Sequence, residues 1–86
     1  MHIRNLSVLS YAQGYTAWHY RGEALPLAED FFSPAYDMMQ QGDTIMVSTQ
    51  SGGALLFLQT VDKVAGTSRT VIMARTTPSS QELPNA

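Results

Sequence analysis

The chain has 86 residues and no cysteine, which bounds it to one small domain with a modest core and excludes disulfides or a thiolate metal site as staples. Charged residues reach only 14%, against roughly 25% in an average soluble domain, so association with partners that cover part of the surface is the expected support. A net charge of −2, with Lys63 the sole lysine and Arg4, Arg21, Arg69 and Arg75 scattered, supplies no basic stripe for nucleic acid.

No apolar run approaches the roughly 20 residues of a membrane span. The opening MHIRNLSVLSYAQG lacks the apolar stretch of a signal peptide, so synthesis in the cytosol is expected. Within it, His2 to Ser10 alternates loosely through Ile3, Leu6, Val8 and Leu9, as a short strand or an arm laid across a neighbour would. Gly14 breaks the chain. Tyr15 to Arg21 then alternates strictly, with Thr16, Trp18 and Tyr20 on one face and Tyr15, Ala17, His19 and Arg21 on the other. That is a strand pattern. Pro26 closes it by removing a ladder donor and restricting Leu25.

Ser33-Pro34-Ala35-Tyr36-Asp37-Met38-Met39-Gln40-Gln41-Gly42 carries helix signals at both ends. Ser33 suits the N-cap, Pro34 the first helical position, and Gly42 a left-handed stop. Ala35, Met38 and Met39 share one face and should point inward, with Phe31 and Phe32 anchoring the element. Two turns of helix must dock on something to persist.

From Asp43 the pattern turns to β. Thr44–Thr49 and Ala54–Val61 read as strands joined by turn residues Gln50-Ser51-Gly52-Gly53, and Arg69–Arg75 as a last strand after a polar loop. Apolar residues fill both faces of Ala54–Val61, as in a central strand or one with a face buried against another chain. Three strands joined by short turns make a meander. The fold expected is mainly β, a small barrel or sandwich with one short α-helix inserted after the first long strand, because a flat sheet this small would leave its edges exposed. Residues 1–75 form the domain. Residues 76–86, TTPSSQELPNA with Leu83 as the one large apolar side chain, form an extended tail that cannot order itself and needs a neighbouring subunit to hold it.

No constellation carries chemistry. The histidines are His2 and His19, and no G-x-S-x-G elbow accompanies the serines, so a nucleophilic triad is not expected. His19 reads as a partly buried ring whose polar edge meets a backbone carbonyl or water. Glu29, Asp30, Asp37 and Asp43 lack calcium-loop spacing and read as loop, first-turn and turn-bonding acids. Ser51-Gly52-Gly53 lacks the lysine and following helix of a phosphate loop. Tyr11, Tyr15, Trp18 and Tyr20 have no positive groove beside them for stacking bases. The expectation is a protein without catalytic residues, cofactor or metal.

The run Leu9-Ser10-Tyr11-Ala12-Gln13-Gly14-Tyr15-Thr16-Ala17-Trp18-His19-Tyr20-Arg21 resembles a recurrent opening in small tailed-bacteriophage and prophage structural proteins. The next landmarks of that pattern are an aromatic pair and short helix, then Gly-Asp and an apolar strand. Here these are Phe31-Phe32 through Met39, then Gly42-Asp43-Thr44-Ile45-Met46-Val47. The similarity spans Leu9 to Val47 and departs from the pattern at Pro34, where a polar residue is usual. It implies a virion component assembled in the host cytoplasm, a decoration protein on the outside of the head. The implied partners are the major capsid protein and sister copies, as a homo-oligomer that threefold sites would make a trimer. Tyr15, Trp18, Tyr20, Phe31, Phe32 and Leu83 are the candidate interface residues, each of them core or contact. The alternatives are a tail or spike-base component, distinguished by low copy number, and a monomeric small β-barrel adaptor for a peptide or ligand.

Overall fold

The first reversal of the chain sets the sheet. Gln13 and Gly14 both adopt positive φ, 54° and 86°, the combination whose twist matches two right-twisted strands across a two-residue turn. They join β1 (Leu6–Ala12) to β2 (Tyr15–Arg21), antiparallel, with Ala12 opposite Tyr15. The computed structural model describes residues 1–23 and 28–76, and continues through β3 (Thr44–Thr49), β4 (Gly52–Asp62) and β5 (Thr67–Thr76).

The five strands form one sheet in the order β1-β2-β3-β4-β5. β2 and β3 run parallel, with Trp18 beside Ile45 and Tyr20 beside Val47, and the other neighbours are antiparallel. A parallel pair demands a long crossover. Residues 22–43 provide it, and Phe32, Ala35 and Met39 from its described part pack on one face. Leu6, Trp18, Tyr20, Ile45, Val47, Ala54, Leu56 and Leu58 point to that face and bury themselves against Phe32, Ala35 and Met39 of the crossover. The rings of Tyr20, Phe31 and Phe32 meet edge to face, with centroids 5.0–5.6 Å apart, an arrangement worth about 0.5–1.5 kcal/mol per pair beyond burial.

The sheet is open, which corrects the expected barrel or sandwich: β1 and β5 are its two edges and do not pair. The crossover itself supplies the second layer, so closure is not needed to cover the core. It also protects one edge. Ser33 Oγ accepts from Ser68 N (2.9 Å) and donates to Ser68 O (3.1 Å), and the Glu29 carbonyl accepts from Thr70 N (2.9 Å). Backbone groups of β5 that would face solvent are thereby paired.

The expected α-helix is likewise corrected. Of the stretch Ser33–Gly42 only Ser33–Ala35 is a 3₁₀ turn, within a chain of i→i+3 bonds that includes Phe31 to Ala28, Ser33 to Asp30, Ala35 to Phe32 and Met38 to Ala35. Ser33 makes no cap bond because its hydroxyl serves β5, and Phe32 occupies the cap position. Ala35 and Met39 are buried, whereas Met38 is exposed. Lys63 clips the end of this segment by donating to the carbonyls of Tyr36 and Met39, at 2.9 and 3.2 Å. Gly42 does adopt the left-handed conformation, at φ 99°. Residues 77–86, with the tail reading and Leu83, lie outside the described residues, as do residues 24–27.

Candidate protein-interaction face

The side of the sheet away from the crossover is uncovered among the described residues. Strand alternation sends every second side chain there. Register then aligns them in rows across the sheet. One row is Ser7, His19, Met46, Leu55 and Ala74, and the next is Ala17, Thr44, Phe57 and Val71. Neither row holds a formal charge. Met46 is 49% exposed, and Leu55, Phe57 and Val71 are partly so. Among the described residues, charges stand toward the ends of the face: Arg21 beside Ser48, Arg75 in the lining of the groove beside Thr76, and Arg69, which lies between buried Ser68 and Thr70 and turns to the open side. Arg69 is tied to Glu29 at 2.7 Å.

A shallow groove of about 290 Å³ runs between Met46, Ser48, Leu55, Ala74, Arg75 and Thr76. Gly53 opens its floor, since a Cβ there would stand 3.1 Å from the Val47 carbonyl oxygen. Two polar side chains of this area are paired with each other: His19 Nε2 and Ser48 Oγ lie 2.9 Å apart. The sequence expectation for His19 was a carbonyl or water; a serine on the neighbouring strand takes that place. This pair lies on a flat face, and among the described residues no carboxylate bonds the imidazole, so the group that orients a general base in a triad is missing from it. No cluster of three metal-binding side chains occurs among the described residues.

The second candidate was the carboxylate run, and one member of it organises the fold. Asp43 is 1% exposed. Its Oδ1 accepts from Thr16 N at 2.9 Å, and its Oδ2 accepts from Trp18 Nε1 and Gln40 N, both at 3.0 Å. Three N–H donors satisfy this buried carboxylate, with no cationic side chain bonded to it among the described residues. The bond to Gln40 is the local turn bond expected from the sequence, while those to β2 fasten the crossover's end to the sheet.

The structure separates the candidate interface residues. Trp18, Tyr20 and Phe32 sit in the chain's own core, Phe31 packs partly against it, and Tyr15 is exposed with its ring across Gly42. Sequence reasoning did not single out Met46, Leu55, Phe57 or Val71. Their signal was the two-sided apolar character of β4. Tyr11, Val8 and Leu9 on edge strand β1 are also exposed, beside a register shift between Val8 and Ser10. No family model, curated protein or solved structure matches the chain.

Proposed function

We propose that this protein acts by association with other polypeptides, as a virion structural component that decorates the outside of a phage head and binds the major capsid protein and sister copies. The observation that carries the reading is the uncovered sheet face, apolar and free of charge through its centre, backing a sheet whose other face already has a core. A domain this small has no stability reason to arrange Met46, Leu55, Phe57 and Val71 in contiguous rows facing water. Their burial against a partner is the use such rows serve.

The resemblance to phage structural proteins supports the virion setting, and the fold gives its landmarks a physical meaning. Trp18 and Asp43, which lie in its Trp-His-Tyr-Arg and Gly-Asp segments, are bonded to each other. The aromatic pair Phe31-Phe32 packs on Tyr20. The shared pattern is therefore the scaffold that presents the open face, and the face carries the association. Such a protein stabilises a shell because it binds the assembled lattice better than free subunits, which shifts the equilibrium toward the assembled form.

The test is addition of the purified protein to particles that lack it. Saturable binding in many copies per particle, with a raised particle melting temperature, is expected, and Leu55→Glu should abolish both. Failure to bind, or binding that Leu55→Glu leaves intact, contradicts the reading. A handful of copies per particle would place the protein at the tail or spike base instead.

A further inference from the structure

Resting on the association reading above, we propose that the occupant of the open face is the same face of a second copy, giving a two-fold dimer in which two five-stranded sheets pack face to face.

Three properties of the face favour a second copy. A two-fold contact places a surface against itself, so any net charge on it meets its own like. The central rows carry none, while Arg21 and Arg75 stand toward one end and Arg69 at the other. The face is also broad and flat. Five strands at about 4.8 Å spacing span roughly 24 Å, and six residues at about 3.3 Å rise give roughly 20 Å. The resulting plane, on the order of 500 Å² before side-chain relief, lies below the ~800 Å² per partner of a stable interface even when all of it is used, so an occupant must cover nearly the whole of it. A second sheet of the same outline covers the whole, whereas a helix about 10 Å wide covers less than half.

The texture suits interdigitation as well. Large Met46, Leu55 and Phe57 form a raised centre with small Ala17, Gly53 and Ala74 around it, and the groove beside Gly53 is open to a side chain from the facing sheet. The bond between His19 and Ser48 lets both polar groups enter a dry contact with a partner already in place. Back-to-back packing is two-fold, so the repeating unit becomes a dimer rather than the trimer that threefold sites would suggest.

Sedimentation equilibrium on the full chain tests this. At tens of micromolar the expected mass is twice the 9.4 kDa of one chain. Leu55→Glu and Met46→Lys should each raise the dimer dissociation constant by at least about 100-fold, since each places an unpaired charge in the contact. Val64→Glu, on the fully exposed β4–β5 turn, should change it less than about twofold. Circular dichroism confirms that each variant is folded, and half-exposed Met46 tolerates a lysine if Leu55→Glu does not fold.

A full chain that stays monomeric, or a dimer that ignores both face variants, overturns the proposal. So does a chain that dimerises only after residues 77–86 are removed, because that segment would then be the occupant. The two proposals fail separately. A monomer whose particle binding is lost in Leu55→Glu keeps the association reading and sinks the dimer. A dimer that does not bind particles keeps the pair and sinks the virion setting.

Discussion

Replacing Asp43 by alanine strips acceptors from three N–H groups at once. Trp18 Nε1 is buried and the amides of Thr16 and Gln40 partly so. An unsatisfied buried donor costs about 1–3 kcal/mol. The three share one carboxylate and relax together, so the expected loss is about 3–6 kcal/mol rather than three full penalties. A chain of 86 residues holds roughly 4–13 kcal/mol in total, so Asp43→Ala brings it to the edge of unfolding. Asp43→Asn keeps the shape and one carbonyl oxygen. If that oxygen serves Trp18 and Gln40, the new amide meets Thr16 N donor to donor, and the expected cost is about 2 kcal/mol. Urea unfolding followed by the fluorescence of Trp18, the sole tryptophan, measures both variants. An Asp43→Ala protein within about 1 kcal/mol of the parent would refute the assignment of Asp43 as the clamp between crossover and sheet. A double-mutant cycle with Trp18→Phe, read by circular dichroism, should show coupling, and strict additivity would point the same way.

Gly42→Ala should cost about 1–3 kcal/mol in urea unfolding, from a left-handed backbone and a Cβ placed 2.6 Å from the Tyr15 ring. Adding Tyr15→Ala should recover the clash and leave the backbone part, so complete recovery would show that strain contributes nothing. Ser33→Ala bares the N–H and carbonyl of Ser68 and should cost about 1–3 kcal/mol. It should also promote edge-to-edge aggregation detectable by light scattering, and a variant as stable and disperse as the parent would remove Ser33 from edge protection. Ser68→Ala should do the opposite, raising stability by up to about 1 kcal/mol, because the buried Ser68 Oγ meets no partner among the described residues. A clear loss on thermal unfolding would mean that this hydroxyl is bonded after all.

Local signals were legible where local geometry decides the structure. Tyr15–Arg21 is the strand its strict alternation announces, and the later strands form the expected meander: β3 has the bounds read for it, and β4 and β5 are longer by two residues at the start and one at the end. Gly42 is left-handed as read, although the α-helix it was expected to stop does not form. The misreadings share a cause: a distant partner outbid a local one. Ser33 has every mark of an N-cap, but β5 claims its hydroxyl from 35 residues away. Asp43 bonds its own turn as expected, yet its strongest structural role lies with Thr16 and Trp18, 27 and 25 residues back. The barrel was inferred from a need to protect edges, and the crossover meets that need at Ser68 and Thr70 without closure. The parallel pairing of β2 with β3 left no local trace, since both strands alternate as an antiparallel pair would. The open face was half legible. Leu55 and Phe57 between buried Ala54, Leu56 and Leu58 marked β4 as two-sided, but the rows they complete with His19, Met46 and Val71 exist only once register is set.

The methionines offer the most direct test that the open face is what meets other polypeptides. Met46 on that face and Met38 on the crossover side are equally accessible in the single chain, 49% and 47%, so hydroxyl-radical oxidation followed by mass spectrometry should label them alike at high dilution. In the associated state, as concentrated protein or on particles, oxidation of Met46 should fall several-fold while Met38 stays unchanged. Equal labelling of the two in both states, or selective protection of Met38, would contradict the assignment of the open sheet face as the surface through which this protein works.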